Sequence, residues 1–167
     1  KGMTFIKFHK SASQLYTGFE DGSIKIWDVK NISSENTDPV ETDSIGGLHT
    51  SAITYIYLEV INREFWLFSG SNDATLGITL LKDPSNHVVT WQIESLHYKG
   101  IIWIYWDKKA KCIYTAGADN CINIVDWSDP KLEPVPIDDL CLQNLHDRTM
   151  SSAFYDKTNQ ILYTGFA

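Results

Sequence analysis

The chain has 167 residues, 43% of them hydrophobic and 13% aromatic, which is enough to bury a core and, with its β-branched content, favours strands. Fourteen Lys and Arg against 21 Asp and Glu give a net charge of −7, so nucleic acid or an anionic membrane is not expected as a partner, because each needs a basic face. No apolar run approaches the roughly 20 residues that span a bilayer, and membrane insertion is not expected either.

In chain order, Met3 to Phe8 reads as a short strand and His9 to Ser13 as a turn. Leu15 to Phe19 and Ile24 to Val29 then flank Asp21-Gly22, a dipeptide suited to the positive backbone angles of a tight hairpin. Lys30 to Gly47 is polar, carries Pro39, and holds one weaker strand at Val40 to Ile45. A second unit opens at Leu48-His49, with strands at Ile53 to Leu58, Phe65 to Gly70, Thr75 to Leu81 and Val88 to Ile93. A third opens at Leu96-His97, with Ile101 to Trp106, Cys112 to Ala116 and Cys121 to Trp127, followed by a stretch holding Pro130, Pro134 and Pro136. The last opens at Leu145-His146 and runs through Met150 to Tyr155 and Ile161 to Gly165. All five prolines follow the third strand of a unit, where an outer edge strand tolerates a missing N–H.

The units share one frame. Residues four, seven and nine after each Leu-His histidine are Ile53, Ile56 and Leu58; Ile101, Ile104 and Trp106; Met150, Ala153 and Tyr155; and Met3, Ile6 and Phe8 fit the same spacing. A hydroxyl follows at Thr17, Ser69, Thr115 and Thr164, and four residues later stands Asp21, Asp73 or Asp119. A repeat of about 50 residues belongs to propellers and solenoids.

Trp27-Asp28, the turn aspartates, the strand hydroxyls and the histidine ahead of each first strand resemble the WD-repeat β-propeller family. Leu-His stands where that family has Gly-His, Thr79-Leu80 replaces Trp-Asp, and Val125-Asp126 keeps only the acid. The resemblance implies an all-β propeller of four-stranded antiparallel blades, with first strands lining a central channel. About three and a half blades are expected, over 1–47, 48–95, 96–144 and 145–167, as part of a larger ring that is most often seven-bladed in the family. First strands such as Ile101 to Trp106, apolar on both faces, suit burial between blades.

No metal, cofactor or catalytic set is expected. One histidine per blade, at 49, 97 and 146, spreads these groups around a ring, whereas a metal needs them to converge. The resemblance instead gives them a structural task in buried hydrogen-bonded chains: Thr17-Asp21-Trp27, His49-Ser69-Asp73, His97-Thr115-Asp119 and His146-Thr164. No Gly-x-Ser-x-Gly, phosphate loop or His-Glu-x-x-His is present, Asp138-Asp139 reads as solvated, and the tryptophans read as core, with Trp66 able to reach the surface. Cys112, Cys121 and Cys141 form no Cys-x-x-Cys pair and no secretory signal precedes them, so a reducing setting, cytoplasmic or nuclear, is expected.

The function expected from the resemblance is a non-catalytic scaffold for proteins or peptides, in a family that is chiefly eukaryotic. Its contact residues by position are Thr50, Ser51, Asn72, Tyr98, Lys99, Ala118, Asp147 and Arg148. The alternatives are a propeller hydrolase with an axial active site, or a ubiquitin-ligase substrate receptor, for which Trp27-Asp28-Val29-Lys30 is a formal match.

Overall fold

A computed structural model describes residues 1–33, 37–83, 86–137, 142 and 147–167, and all regular structure among them is β. The first sheet holds β1 (Met3–His9), β2 (Gln14–Phe19), β3 (Ile24–Asp28) and β4 (Val40–Ile45). The second holds β5 (Ile53–Ile61), β6 (Glu64–Ser71), β7 (Leu76–Asp83) and β8 (Asn86–Ile93). The third holds β9 (Ile101–Asp107), β10 (Cys112–Gly117), β11 (Ile122–Asp126) and β12 (Val135–Pro136), and the last is the pair β13 (Met150–Asp156) and β14 (Ile161–Phe166). Every strand pairs antiparallel with its sequence neighbour, so each sheet is a meander blade.

The prolines shape the outer strands. In the third blade the outer strand shrinks to Val135–Pro136, paired with Val125 and Asp126, and Pro136 sits on the rim where it leaves no inner ladder bond unmade. The second blade differs in length: β5 and β6 have nine and eight residues, joined by the two-residue turn Asn62-Arg63 with φ of 53° and 68°. Those paired left-handed angles are a type I′ turn, and the longer ladder explains why Ser69 lies two positions late in the repeat frame.

The first strands β1, β5, β9 and β13 lie side by side in chain order. Aromatic rings step from one to the next: Phe5 to Tyr55 at 5.1 Å, Tyr57 to Tyr105 at 6.1 Å, and Tyr105 to Tyr155 at 4.8 Å between centroids. Between the first two blades Tyr16, Ile24 and Ile26 pack on Ile53, Ile56 and Leu67. Between the second and third, Trp66, Phe68 and Ile78 pack on Ile104, Trp106 and Trp127. Trp66 is therefore core, 2% exposed, and does not reach the surface. The first strands are not uniformly buried: Met3, Ile6 and Phe8 on β1 and Phe154 on β13 are exposed, because among the described residues no blade covers those two outward faces.

Close approach of the first three blades depends on a glycine at the end of the second strand in the first and second blades. A Cβ on Gly18 would lie 2.5 Å from Ile53 Cβ, and one on Gly70 would lie 2.7 Å from Ile101 Cγ2. Gly70→Val is expected to force β9 off β6 and lower stability by about 1–3 kcal/mol, read as a drop in thermal midpoint. An unmoved midpoint would show that the blades tolerate wider spacing.

Candidate functional site

At one end of the blades, the loop preceding each first strand meets the tip of the β2–β3-type hairpin. In the second blade the junction is made by Asp73. Its Oδ2 accepts the Thr50 amide at 2.6 Å, while Oδ1 accepts the Thr75 amide at 3.0 Å and the Thr75 hydroxyl at 2.7 Å. With the Thr75 proton committed to Asp73, the 2.6 Å contact from His49 Nδ1 to Thr75 Oγ1 requires His49 to donate. His49 Nε2 then accepts the Ser69 hydroxyl at 2.7 Å. The relay runs Ser69 to His49 to Thr75 to Asp73, and His49 lies 3.6 Å from Asp73 with Thr75 between them.

The electrostatics follow from burial and donors. Burial pushes the His49 pKa below its ordinary value, against the opposing pull of the Asp73 charge, so the ring is neutral. Burial raises Asp73, but the Thr75 hydroxyl, the Thr50 and Thr75 amides and His49 outweigh it and hold the carboxyl at about 2.

The third blade makes the same junction without the intermediary. His97 Nδ1 lies 3.1 Å from both oxygens of Asp119, and Nε2 lies 2.9 Å from the Thr115 hydroxyl. Asp119 also accepts the Tyr98 amide at 2.8 Å and the Cys121 amide at 3.1 Å. Burial raises this carboxyl too, and the His97, Tyr98 and Cys121 donors bring it below its usual value. Cys121 occupies the place of Thr75, and its thiol is too weak a donor to stand in the relay. The Asn123 amide donates to the Leu96 carbonyl and lies 3.3 Å from both ring nitrogens.

In the first blade Trp27 Nε1 donates to the Thr17 hydroxyl at 2.8 Å, but Asp21 does not join them. Its carboxylate accepts the Ser23 amide and hydroxyl and pairs with Lys1. The other two blades link hydroxyl to aspartate through a histidine, and none lies between Thr17 and Asp21. Thr164 is half-buried on β14, and His146 lies outside the described residues.

The residues expected to meet partners gather at this end. Asn72 N donates to the Ala52 carbonyl, Ala118 N to the Gly100 carbonyl, and the Ser71 hydroxyl to the Ser51 carbonyl, each within 3.0 Å. Thr50, Asn72, Tyr98, Lys99, Asp147 and Arg148 are exposed, whereas Ser51 and Ala118 are half-buried. Thr75, Ser71 and Asn123 were not singled out from the sequence. The available signal was the small hydrogen-bonding residue two positions after each turn aspartate: Ser23, Thr75 and Cys121. Among the described residues no three His, Cys, Asp or Glu side chains converge as a metal site requires.

Residues 1–28, spanning the first three strands with Trp27-Asp28, match the family described as WD domain, G-beta repeat. Over that stretch the chain is similar to a WD repeat. Its fold matches 316 solved chains, among them one from the crystal structure of a mitotic checkpoint complex, at a TM-score of 0.68 and 18% identity. That match covers 98% of this chain and 44% of the other, so the chain spans less than half the length of its structural match. The likeness shows the fold alone, a propeller architecture that many unrelated functions share. No curated protein sequence matches.

Two predictions follow from these junctions. Stability should decline as pH falls below 6.5, where unfolded His49 gains a proton that the buried ring resists. It should decline again between 3.8 and about 2, because a carboxyl held low contributes fully above its unfolded value and nothing below its folded one; in Asp73→Asn the second decline should shrink. His97→Ala, which strands Asp119 and Thr115, should cost about 1–3 kcal/mol. Chemical denaturation across pH checks the first, and a melting temperature unchanged in His97→Ala would remove the histidine from the stability argument.

Proposed function

We propose that the chain is a non-catalytic interaction scaffold that holds protein or peptide partners on the end where the pre-blade loops meet the hairpin tips. The carrying observation is that Asp73 and Asp119 pin those loops through the Thr50 and Tyr98 amides, while the Tyr98 and Lys99 side chains stay exposed for a partner. Tyr98 is 93% exposed on such a fixed backbone. A rigid aromatic with a polar tip, beside Lys99, suits a contact that orders little on binding.

The partners proposed include the rest of a propeller, in the same chain or another. Ile6 stands at the repeat position of Ile56 and Ile104, which are buried, yet it is 55% exposed. Ile6, with Phe8 and Met3, offers the apolar face that neighbouring blades cover elsewhere in the molecule. An intracellular setting, cytoplasmic or nuclear, is proposed with it, on the cysteine spacing, which holds no Cys-x-x-Cys pair.

The test is selection of a displayed peptide library on the wild-type protein, followed by binding to Tyr98→Ala and Arg148→Ala. Selected peptides should bind these variants roughly tenfold more weakly. Peptides that bind both variants as well as wild type would place the contact elsewhere, and turnover in an untargeted substrate screen would favour an enzyme.

A further inference from the structure

The opposite end, formed by the turns joining first to second strands, is built differently. Between the second and third blades lies a cleft of about 430 Å³ with Val60, Trp106 and Pro130 on its apolar walls. Its cations are Arg63, from the β5–β6 turn, and Lys108 and Lys111, from the β9–β10 turn. All three are exposed, and among the described residues none has a carboxylate within 4.0 Å. No Asp or Glu lines the cleft; of the acids nearby in sequence, Asp107 accepts the Lys109 and Ala110 amides, Asp126 the Ser128 amide and Asp129 the Lys131 amide, and Glu64 is exposed beside Arg63. In a chain of net charge −7, a cleft whose lining holds three cations and no carboxylate presents a locally positive wall.

Two of these cations sit on costly backbone. Arg63 has φ of 68° and Lys111 has φ of 55°, a region that glycine enters freely and side chains resist. Glycine is the usual second residue of a type I′ turn after Asn, so the turn would form more easily without the guanidinium. Lys111 shares its angle with Ser13 and Gln160, the last residues of the corresponding turns, so that angle belongs to the turn; at Arg63, where glycine would serve, strain held at a charged, exposed position points to use of the charge.

We propose that this cleft docks an acidic peptide segment of a partner protein, with one apolar side chain against Trp106 and Val60 and flanking carboxylates on Arg63, Lys108 and Lys111. Because the cations come from turns of two blades, they suit charges spaced along an extended chain better than one compact anion. The site goes beyond the function proposed above, which concerns the other end of the blades.

The test is fluorescence anisotropy on the full chain with a short labelled peptide of glutamates around a single leucine. Binding should weaken as salt rises, since exposed charges are screened within roughly 10 Å at 0.1 M. The double variant Arg63→Gly, Lys111→Gly should bind about tenfold more weakly or worse, while its melting temperature holds or rises because both left-handed positions relax. Tyr98→Ala should leave this binding unchanged, which separates the site from the proposed partner face. The proposal is overturned if the wild type does not bind the peptide, if the double variant binds it equally, or if an all-glutamate peptide or inorganic tripolyphosphate competes as well as the leucine peptide.

Discussion

The carboxylates of Asp73 and Asp119 are the constraint on which the ordered end of this molecule depends. Each gathers backbone amides from two segments that sheet pairing leaves unsatisfied, the loop entering a blade and the tip of its hairpin. Each also fixes which nitrogen of a buried imidazole carries the proton, and through that ring it reaches a hydroxyl on the second strand. A buried polar set of this kind is tolerated only when every member is satisfied. That requirement is why one exposed-looking turn residue can set the position of a loop some twenty residues earlier in the chain.

Where the polar set is incomplete, aromatic packing between blades takes over. Thr79 and Val125 occupy the place that Trp27 holds in the first blade, each directly across the ladder from the second strand. Thr79 is fully buried, and its hydroxyl finds no partner among the described residues, a cost of about 1–3 kcal/mol. Against that stands Trp127, with Trp66, Phe68, Trp91 and Trp106 all within 5.7 Å of its ring centre, mostly edge to face. Ring pairs in that geometry contribute about 0.5–1.5 kcal/mol each beyond the area they bury. Cohesion has moved from within the blade to the seam between blades, and it survives the loss of the repeat's own tryptophan.

The division between what the sequence disclosed and what it hid follows from this. Strand pairs and their tips were legible because they depend on short-range rules: alternation, turn dipeptides and the recurring frame that sets Ile56 and Ile104 in equivalent places. The hydrogen-bond relay was legible only in outline. Thr75 enters it because its proton is already committed to Asp73, and Asp21 leaves it because Lys1 and Ser23 claim the carboxylate; neither competition is visible in spacing. Trp66 was misjudged because the long second hairpin suggested reach, whereas the third blade closes over it. Gly18 and Gly70 stood in the repeat frame beside Thr17 and Ser69 throughout, but their reason, an isoleucine of the next blade, exists only in the assembled fold.

The two ends of the blades therefore offer different kinds of surface on one frame. At the end ruled by Asp73 and Asp119, the backbone at Asn72 and Tyr98 is fixed through their amides, while their side chains are exposed. At the other end the turns are held by their own dihedral angles and, in β9–β10 and β13–β14, by aspartates capping amides two and three residues on. Those caps engage the acids with backbone amides, and the cations of the β9–β10 turn, Lys108 and Lys111, have no carboxylate within 4.0 Å among the described residues. A stiff sheet between the ends keeps a substitution in one from disturbing the other, so the chemistry of each can change without renegotiating the fold.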